Sequence, residues 1–355
     1  MDTMTAAAPA SADATRPIRI WLLAMMGLVV AMIVLGGATR LTNSGLSITE
    51  WLPIRGAIPP LTDAAWEVEF AKYRQIPEFR LEHPDMDMAG FKFIYFWEWA
   101  HRQLGRVIGL AFALPLAGFA LRKRIPQGYG WPLVTILLLI GLQGAVGWWM
   151  VASGLEDDMT AVSHYRLATH LAMAIAVLGS LFWLWRSLAP VPTEPVARPV
   201  LTRSIAALTF AQIVLGAFVA GTHSGRTYNT WPLTDGDVVP AGYGVMEPLW
   251  RNVFENTAAI QFNHRTLAYI LLGLGVWAFV RAPEGTAYRT AAGLLLATLL
   301  WQVALGIWTL LAVAPLNLSL LHQFSSIWVF LAAVWLMWEG RRVRVAEPQF
   351  SAAYA

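Results

Sequence analysis

Long stretches without a charged residue dominate this chain. The longest, residues 290–338, contains no Asp, Glu, Lys or Arg, although one helix needs only about 20 apolar residues to cross a bilayer. Only 13% of all residues are charged, against about 25% in soluble domains. The sequence therefore predicts an all-α integral membrane protein. The other uncharged stretches are 20–39, 107–121, 125–155, 167–185, 204–225 and 266–280.

The stretches predict eight transmembrane helices. Ala314 and Pro315 interrupt residues 290–338 with a turn signal, which divides that stretch into two helices. If all eight cross, the basic residues of the short loops fall on one side, and the positive-inside rule makes both termini cytoplasmic. These basic residues are Arg16, Arg19, Arg122, Lys123, Arg124, Arg186, Arg198, Arg203, Arg281, Arg289, Arg341, Arg342 and Arg344. The loops on the other side are long, and Trp66, Phe70 and Tyr73 predict a short interfacial helix in the first of them.

The composition excludes several function classes. The chain has no cysteine, which removes disulfides, thiolate metal sites and iron–sulfur clusters. No basic run is longer than Arg122–Arg124, so nothing predicts a nucleic-acid partner. The lipid bilayer is the partner that the composition does predict.

The two halves of the sequence resemble each other, which indicates a tandem repeat of four helices. Because each half has an even number of helices, the repeats would be parallel and related by an axis along the membrane normal. The predicted units are a cytoplasmic tail (1–19), a first four-helix bundle (20–190), a linker (191–200), a second four-helix bundle (201–340) and a cytoplasmic tail (341–355). The matching positions are Leu35-Gly36 with Leu215-Gly216, Ser44-Gly45 with Ser224-Gly225, His101-Arg102 with His264-Arg265, Gln143 with Gln302, Gly147 with Gly306, Trp149 with Trp308, and His170 with His322.

Four histidines occupy repeat-equivalent positions near the same ends of the even-numbered helices. They are His101, His170, His264 and His322. A single histidine at such a place is ordinarily an interfacial side chain, but buried imidazoles are costly unless they are paired or bind a metal. One pair in each bundle predicts bis-histidine heme ligation, and no carboxylate cluster accompanies the pairs as a di-iron site would require.

The halves differ beside these histidines. Glu98 precedes His101 by one helical turn, whereas Gln261 stands at the equivalent place before His264. Residues three apart share a helix face, so Glu98 predicts acid–base chemistry at one site only; the alternative is a carboxylate paired with a neighbouring arginine. Arg102 and Arg265 are open to two interpretations, heme-propionate ligands or arginines that extend to the interface.

The chain resembles the heme A synthase family over about residues 20–340. The resemblance is carried by residues 36–42 (GGATRLT) and 44–47 (SGLS), by Trp51, Pro53, Pro59-Pro60, Pro77-Glu78 and Phe91-Lys92, by residues 98–102 (EWAHR) with Gly105-Arg106, and by residues 228–232 (YNTWP) and 263–265 (NHR). Some members of the family have a cysteine pair in the outer loops. This chain lacks that pair, and so do other members.

The resemblance implies a function. It implies an enzyme that oxidises the C8 methyl of heme O to a formyl group, which makes heme A for cytochrome oxidase. It implies a heme b cofactor ligated by His264 and His322, a substrate heme site flanked by His101 and His170, and Glu98 as the catalytic carboxylate. It also implies a bacterial inner-membrane location, supply of heme O by a farnesyltransferase, and a role in cytochrome oxidase assembly. A homo-oligomer is compatible with it.

Two other functions share some of these features. A di-heme b-type cytochrome that only relays electrons would have the four histidines but not the difference between Glu98 and Gln261. A transporter with a duplicated four-helix unit would place the histidines on a proton path and contain no heme. The pattern assigns no role to His83, His164 or His223.

Overall fold

The computed structural model describes residues 12–156, 158–189 and 196–341. Much of the two tails predicted at 1–19 and 341–355, and half of the linker predicted at 191–200, lie outside the described residues. The regular secondary structure of the described residues is helical, apart from an isolated bridge between Thr234 and Asp237. The prediction of an all-α fold is confirmed.

Seven of the described helices are long and apolar enough to cross a membrane. They are α1 (Ala12–Leu41), α4 (Met88–Leu121), α5 (Gly130–Ala152), α6 (His164–Ser187), α7 (Pro199–Gly221), α10 (Ala287–Leu311) and α11 (Leu316–Glu339). The predicted turn at Ala314-Pro315 lies between α10 and α11, and Val313 and Ala314 both have positive φ there. The chain is therefore a multi-pass membrane protein.

Helix α9 (Thr257–Val280) has 24 residues but is not among these seven. Its first turns contain Gln261, Asn263, His264 and Arg265, and these polar residues reduce its apolar character. The remaining described helices are short: α2 (Asp63–Tyr73), α3 (Pro77–Glu82) and α8 (Arg251–Phe254).

The long helices pack as two groups with the same internal contacts. In the first helix group α1 packs on α4 and α6, and α5 packs on the same two helices. In the second helix group α7 packs on α9 and α11, and α10 packs on the same two helices. The groups meet where α6 contacts α7 and where α11 contacts α1 and α6. One cluster of buried side chains crosses that boundary, from Ile18 and Leu22 in α1 to Ile327 and Phe330 in α11.

A buried ion pair joins the two groups at one end of the molecule. Arg186 of α6 lies 2.8 Å from the Glu339 carboxylate of α11, and the Glu339 side chain is 1% exposed. The Trp335 indole donates a further bond to the same carboxylate at 3.0 Å. A buried carboxylate is tolerated when it is paired and hydrogen-bonded in this way, so this end of the interface is closed by polar contacts.

The opposite end, called here the loop side, is covered by the two long loops. The short helix predicted around Trp66, Phe70 and Tyr73 is present as α2, and Phe70 stacks on Phe91 of α4 with ring centroids 4.8 Å apart. Helix α4 begins at Met88, where the Asp87 carboxylate accepts a bond from Gly90 N at 2.8 Å. Because α4 starts well before its uncharged stretch, it extends several turns beyond the membrane-spanning length toward this loop.

Candidate functional site

The structure brings the four predicted histidines together as two pairs. His101 of α4 faces His170 of α6, with ring centroids 6.5 Å apart and ring planes 64° apart. His264 of α9 faces His322 of α11, again at 6.5 Å and with planes 70° apart. Each pair is built by equivalent helices of its own group, so the two sites have the same construction.

A glycine on a neighbouring helix lies against each imidazole. A methyl group added to Gly147 would lie 2.9 Å from Cε1 of His170, and one added to Gly306 would lie 2.9 Å from Cε1 of His322. On the other side of each pair, a methyl on Gly36 would lie 3.0 Å from Nε2 of His101, and one on Gly216 would lie 3.3 Å from Cε1 of His264. These four glycines let the imidazoles approach the helix backbones closely.

Glutamine amides hold the turns that carry three of the histidines. Gln143 donates to the His170 carbonyl at 2.9 Å, and Gln302 donates to the His322 carbonyl at 3.0 Å. Gln212 does the same for His264 at 3.0 Å. Met32 lies four residues before Gly36, as Gln212 lies four before Gly216. The first pair is therefore less polar on the α1 side than the second pair is on the α7 side.

The spacing of both pairs fits a metal held between two imidazoles. An imidazole nitrogen binds a transition metal at about 2 Å, and the ring centre lies about 1 Å beyond it, so two opposed rings would have centroids about 6 Å apart. The Nδ1 atom of His170 is also buried without a hydrogen-bond partner among the described atoms. Across the described residues no group of three or more His, Cys, Asp or Glu side chains could hold a bare ion. The pairs therefore suit a metal that arrives with its other ligands, as in a porphyrin.

Glu98 lies beside the first pair as a buried carboxylate, 3% exposed. It accepts hydrogen bonds from the Ser47 hydroxyl and the Ile48 amide, both at 2.8 Å, and pairs with Arg102 at 2.5 Å. In the second helix group the equivalent Gln261 is also 3% exposed and donates to the Ser224 carbonyl at 2.9 Å. The predicted asymmetry thus involves two residues in equivalent buried positions, of which only Glu98 can exchange a proton.

Arg102 and Arg265 anchor the loops to their helices. Arg102 donates to the Ile48 carbonyl at 2.7 Å and to the Glu50 carbonyl at 2.9 Å, in addition to its ion pair with Glu98. Arg265 donates to the Pro232 carbonyl at 2.9 Å and to the Thr234 hydroxyl at 3.3 Å. A guanidinium suits this role because it presents several donors in a fixed plane.

A contact that the sequence did not predict connects the two pairs. Gln323 follows His322 directly, and its amide donates to the Ile33 carbonyl of α1 at 2.9 Å. The same side chain occupies the space where a methyl on Gly37 would be, and Gly37 follows the glycine that lies against His101. The chain segments of the two pairs are therefore in direct contact.

A polar cleft opens on the loop side where the two helix groups meet. Its volume is about 270 Å³. Arg40 at the end of α1 crosses between the groups, donating to the Ala220 carbonyl at 3.0 Å and contacting the His223 ring at 3.2 Å. His83 and His223, to which the sequence assigned no role, both face this cleft, whereas His164 packs against Tyr165 with ring centroids 4.4 Å apart. The lining residues are Arg40, Asn43, Glu78, Glu82, His83, Thr160, Ala161, His223 and Arg226.

The fold and the site together define a class of protein: a multi-pass helical membrane protein with two histidine pairs, one of them beside a buried carboxylate. Within that class the chain belongs to the COX15-CtaA family, described as "Cytochrome oxidase assembly protein", whose model matches residues 19–334. The match covers both helix groups and all four histidines.

Curated relatives from several bacteria carry the name "Heme A synthase". The protein of Azorhizobium caulinodans is 48% identical over 338 residues, which cover 93% of this chain and 95% of the relative. That of Maricaulis maris is 47% identical, covering 94% of this chain and 98% of the relative. That of Paracoccus denitrificans is 47% identical over 323 residues, covering 88% and 85%. Near-complete coverage of both chains confirms the family that the sequence motifs indicated.

Proposed function

We propose that this protein is a heme A synthase, an oxidoreductase that converts the C8 methyl group of heme O to a formyl group. Family membership and the names of the relatives support the assignment. The observation that carries it at the level of the site is the pair of equivalent histidine sites with a carboxylate, Glu98, beside only one of them. Two identical relay sites would not need this difference.

Eight membrane crossings are part of the proposal, with α9 as the eighth. The equivalent packing of α9 on α7 and α10, and of α4 on α1 and α5, supports two parallel four-helix halves. With eight crossings, the basic residues between the helices predict that both termini are cytoplasmic. The membrane is the bacterial inner membrane, and the loop side faces outward.

The first pair is the substrate site. His101 and His170 hold the iron of heme O and thereby position its ring, while the farnesyl tail lies along apolar helix faces open to lipid. Glu98 lies one turn from His101 on α4, where it acts as a proton acceptor for the methyl group under oxidation. Ser47, Ile48 and Arg102 fix its orientation, because each contacts one of its oxygens.

The second pair is the cofactor site. His264 and His322 would hold heme b, which supplies one-electron transfer when it is bound. Gln212 and Gln302 hold the backbone turns that carry the two ligands, and their amides also lie 3.2 Å from Nδ1 of the respective rings. Such contacts orient metal ligands and set their basicity.

The partners follow from the chemistry of substrate and product. The substrate is a farnesylated heme, so a farnesyltransferase, heme O synthase, must supply it within the same membrane. The product is consumed in the assembly of cytochrome oxidase, in keeping with the description of the family. A homo-oligomer remains part of the proposal.

The experiment that tests the assignment is chromatography of the pigments extracted from the purified protein, with reduced-minus-oxidised spectra. Heme B together with heme O, heme A or a hydroxylated intermediate is the expected result. Two equivalents of heme B and nothing else would identify an electron-relay cytochrome. A colourless protein would favour a transporter.

Glu98→Gln tests the role of the carboxylate. We expect heme A formation to fall by about 10²–10⁴-fold, the usual contribution of a positioned acid–base group, while the heme b spectrum is unchanged. Glu50→Gln is the matched control, because its carboxylate is 48% exposed and pairs with Lys72 of α2. Loss of heme b along with activity in Glu98→Gln would mean that Glu98 has a structural role instead.

A further inference from the structure

The loop-side cleft contains a buried carboxyl group that the proposed reaction has not yet used. Glu78 lines the cleft at the start of α3 and is 3% exposed. Its one described side-chain hydrogen bond comes from the Tyr73 hydroxyl at 3.2 Å. Burial with a single neutral hydrogen-bond donor disfavours the ionised carboxylate. The protonated form of Glu78 is therefore favoured more than that of an exposed carboxyl group.

The charge of Glu98 acts on Glu78. Burial raises the pKa of Glu78 to about 8, the Tyr73 hydrogen bond opposes the rise, and the charges of Glu98 and Glu82 add to it. The pKa of Tyr73 is raised as well, first by burial and then by Glu78 and Glu98. Glu98 therefore lies close enough to act on both groups.

Hydroxyl groups extend from Glu98 toward the same cleft. The Ser47 hydroxyl donates to Glu98 at 2.8 Å and lies 3.1 Å from the Ser44 carbonyl. The Ser44 hydroxyl is 2.7 Å from that of Thr42. Asn43, which lies between these two residues in the sequence, lines the cleft. Segment 42–47 therefore extends from the cleft wall at Asn43 to the Ser47 hydroxyl that contacts Glu98.

We propose that this cleft is the proton exit of the oxidation site, with Glu78 as the group that passes protons from the surroundings of Glu98 to water. The inference rests on the proposed function, since only the oxidation of a methyl group would require it. With water as the oxygen source and a one-electron acceptor served through the second pair, conversion of a methyl to a formyl group releases four electrons and four protons. In each transfer an O–H bond breaks at a water or hydroxyl beside Glu98 and one forms on a Glu78 oxygen, which then releases the proton to cleft water.

The second helix group lacks this arrangement. Gln261 replaces Glu98 and does not exchange protons, although the hydroxyl pair is repeated in Thr222 and Ser224. The second group contributes only the side chains of His223 and Arg226 to the cleft. Among the described residues, an acid–base residue and a cleft with a second buried carboxyl group thus occur together in the first group, whereas Gln261 occupies the equivalent place in the second.

The charged groups around Glu78 determine when it can release a proton. Tyr73 of α2 contacts Glu78, and the charge of Glu98 of α4 acts on it. Glu82 lies on the same helix, α3, and His83 follows the end of that helix. Arg40 of α1, His223 and Arg226 complete the cleft. Burial, Arg40 and Arg226 lower the pKa of His223, so at neutral pH the two arginines are the cations that line the cleft. Glu78 can accept a proton only when it is ionised, and its pKa is raised to about 8. Turnover should therefore rise with pH up to about pH 8 and then level off.

Glu78→Gln in the full-length protein is the test, with heme A formation expressed per bound heme b. We expect a drop of at least about tenfold, a changed pH profile, and partial recovery when formate is added as a small external proton carrier. Glu67→Gln is the matched control, because Glu67 lies on α2 of the same loop and is exposed. A wild-type protein that makes no heme A would refute the proposed function. If the wild type is active, the result for Glu78→Gln tests the proton exit alone.

Two results would overturn the proton exit. One is a Glu78→Gln variant with the wild-type rate and pH profile. The other is a slow variant that formate does not rescue and whose pH profile is unchanged, which would mark a structural role. If Glu78→Gln does not assemble with heme b, Glu78→Asp decides: a shifted pH profile supports a proton carrier, and an unchanged one refutes it.

Discussion

Gly306→Ala is expected to remove heme b from the second site. Its added methyl would lie 2.9 Å from Cε1 of His322, whereas non-bonded carbon atoms prefer about 3.5–4.0 Å. The imidazole would have to move by about 0.6 Å, and metal–ligand distances tolerate only about 0.2 Å. Perturbing the support of a metal ligand ordinarily weakens binding by about 10- to 100-fold, so we expect a loss of that size.

The helix propensity of alanine should stabilise α10, whereas its methyl group should displace His322. Alanine is favoured over glycine inside a helix by about 1 kcal/mol, so a loss of heme b could not be attributed to a weaker α10. Gly273→Ala on α9 is the control, because nothing lies within 4 Å of the methyl position there. It should bind heme b as the wild type does.

The assay is the heme b content of the purified protein, measured by reduced-minus-oxidised spectra and pigment extraction. Gly147→Ala provides the mirror experiment, since its methyl would lie 2.9 Å from Cε1 of His170. That variant should keep heme b and lose heme A formation. Full heme b content with an unchanged spectrum in Gly306→Ala would refute the reasoning that this glycine positions a ligand.

Three further changes test the scaffold and its charges. Glu339→Ala leaves Arg186 as an uncompensated buried charge, which should cost about 3–5 kcal/mol and lower the thermal midpoint; a wild-type midpoint would contradict this. Because the pKa of Glu78 is raised to about 8 in the folded protein, its contribution to stability is complete below its ordinary pKa and lost as the pH rises through about 8. The free energy of unfolding in detergent should then fall by up to about 1.4 kcal/mol per pH unit between the ordinary pKa of a carboxyl group and about pH 8, and Glu78→Gln should flatten the decline. Arg102→Lys should slow heme A formation without changing heme b content, because an ammonium cannot replace the planar guanidinium donors that reach Ile48 and Glu98. An unchanged rate would show that these guanidinium contacts are dispensable.

The membrane helices were predictable because lipid penalises charge strongly. Uncharged stretches of sufficient length have few alternatives to a spanning helix, and the turn at Ala314-Pro315 followed from ordinary turn signals. The start of α4 was not predictable from charge, since Lys92, Glu98 and Arg102 all lie within that helix. Their charges are tolerated because they are exposed or are paired with loop groups, which only the folded loop supplies.

The histidine pairs could be inferred because the repeat placed them at equivalent positions. The glycines and glutamines that support them were visible as repeat matches, at Gly147 and Gly306 for example, although their role was not. The contacts of Arg40 and Gln323 join segments far apart in sequence, and the cleft brings Glu78 close to Arg40. Such tertiary contacts leave no periodic signal in a single sequence, so the loop-side cleft was missed.

The contact of Gln323 with α1 has a consequence for the history of the duplicated halves. The amide occupies the notch at Gly37, directly beside the glycine that lies against His101. A larger residue at Gly37 would push on the helix that carries His322, so each half limits which substitutions the other can accept. Under the roles proposed for the two pairs, divergence of the halves would thus have required coordinated changes across the boundary.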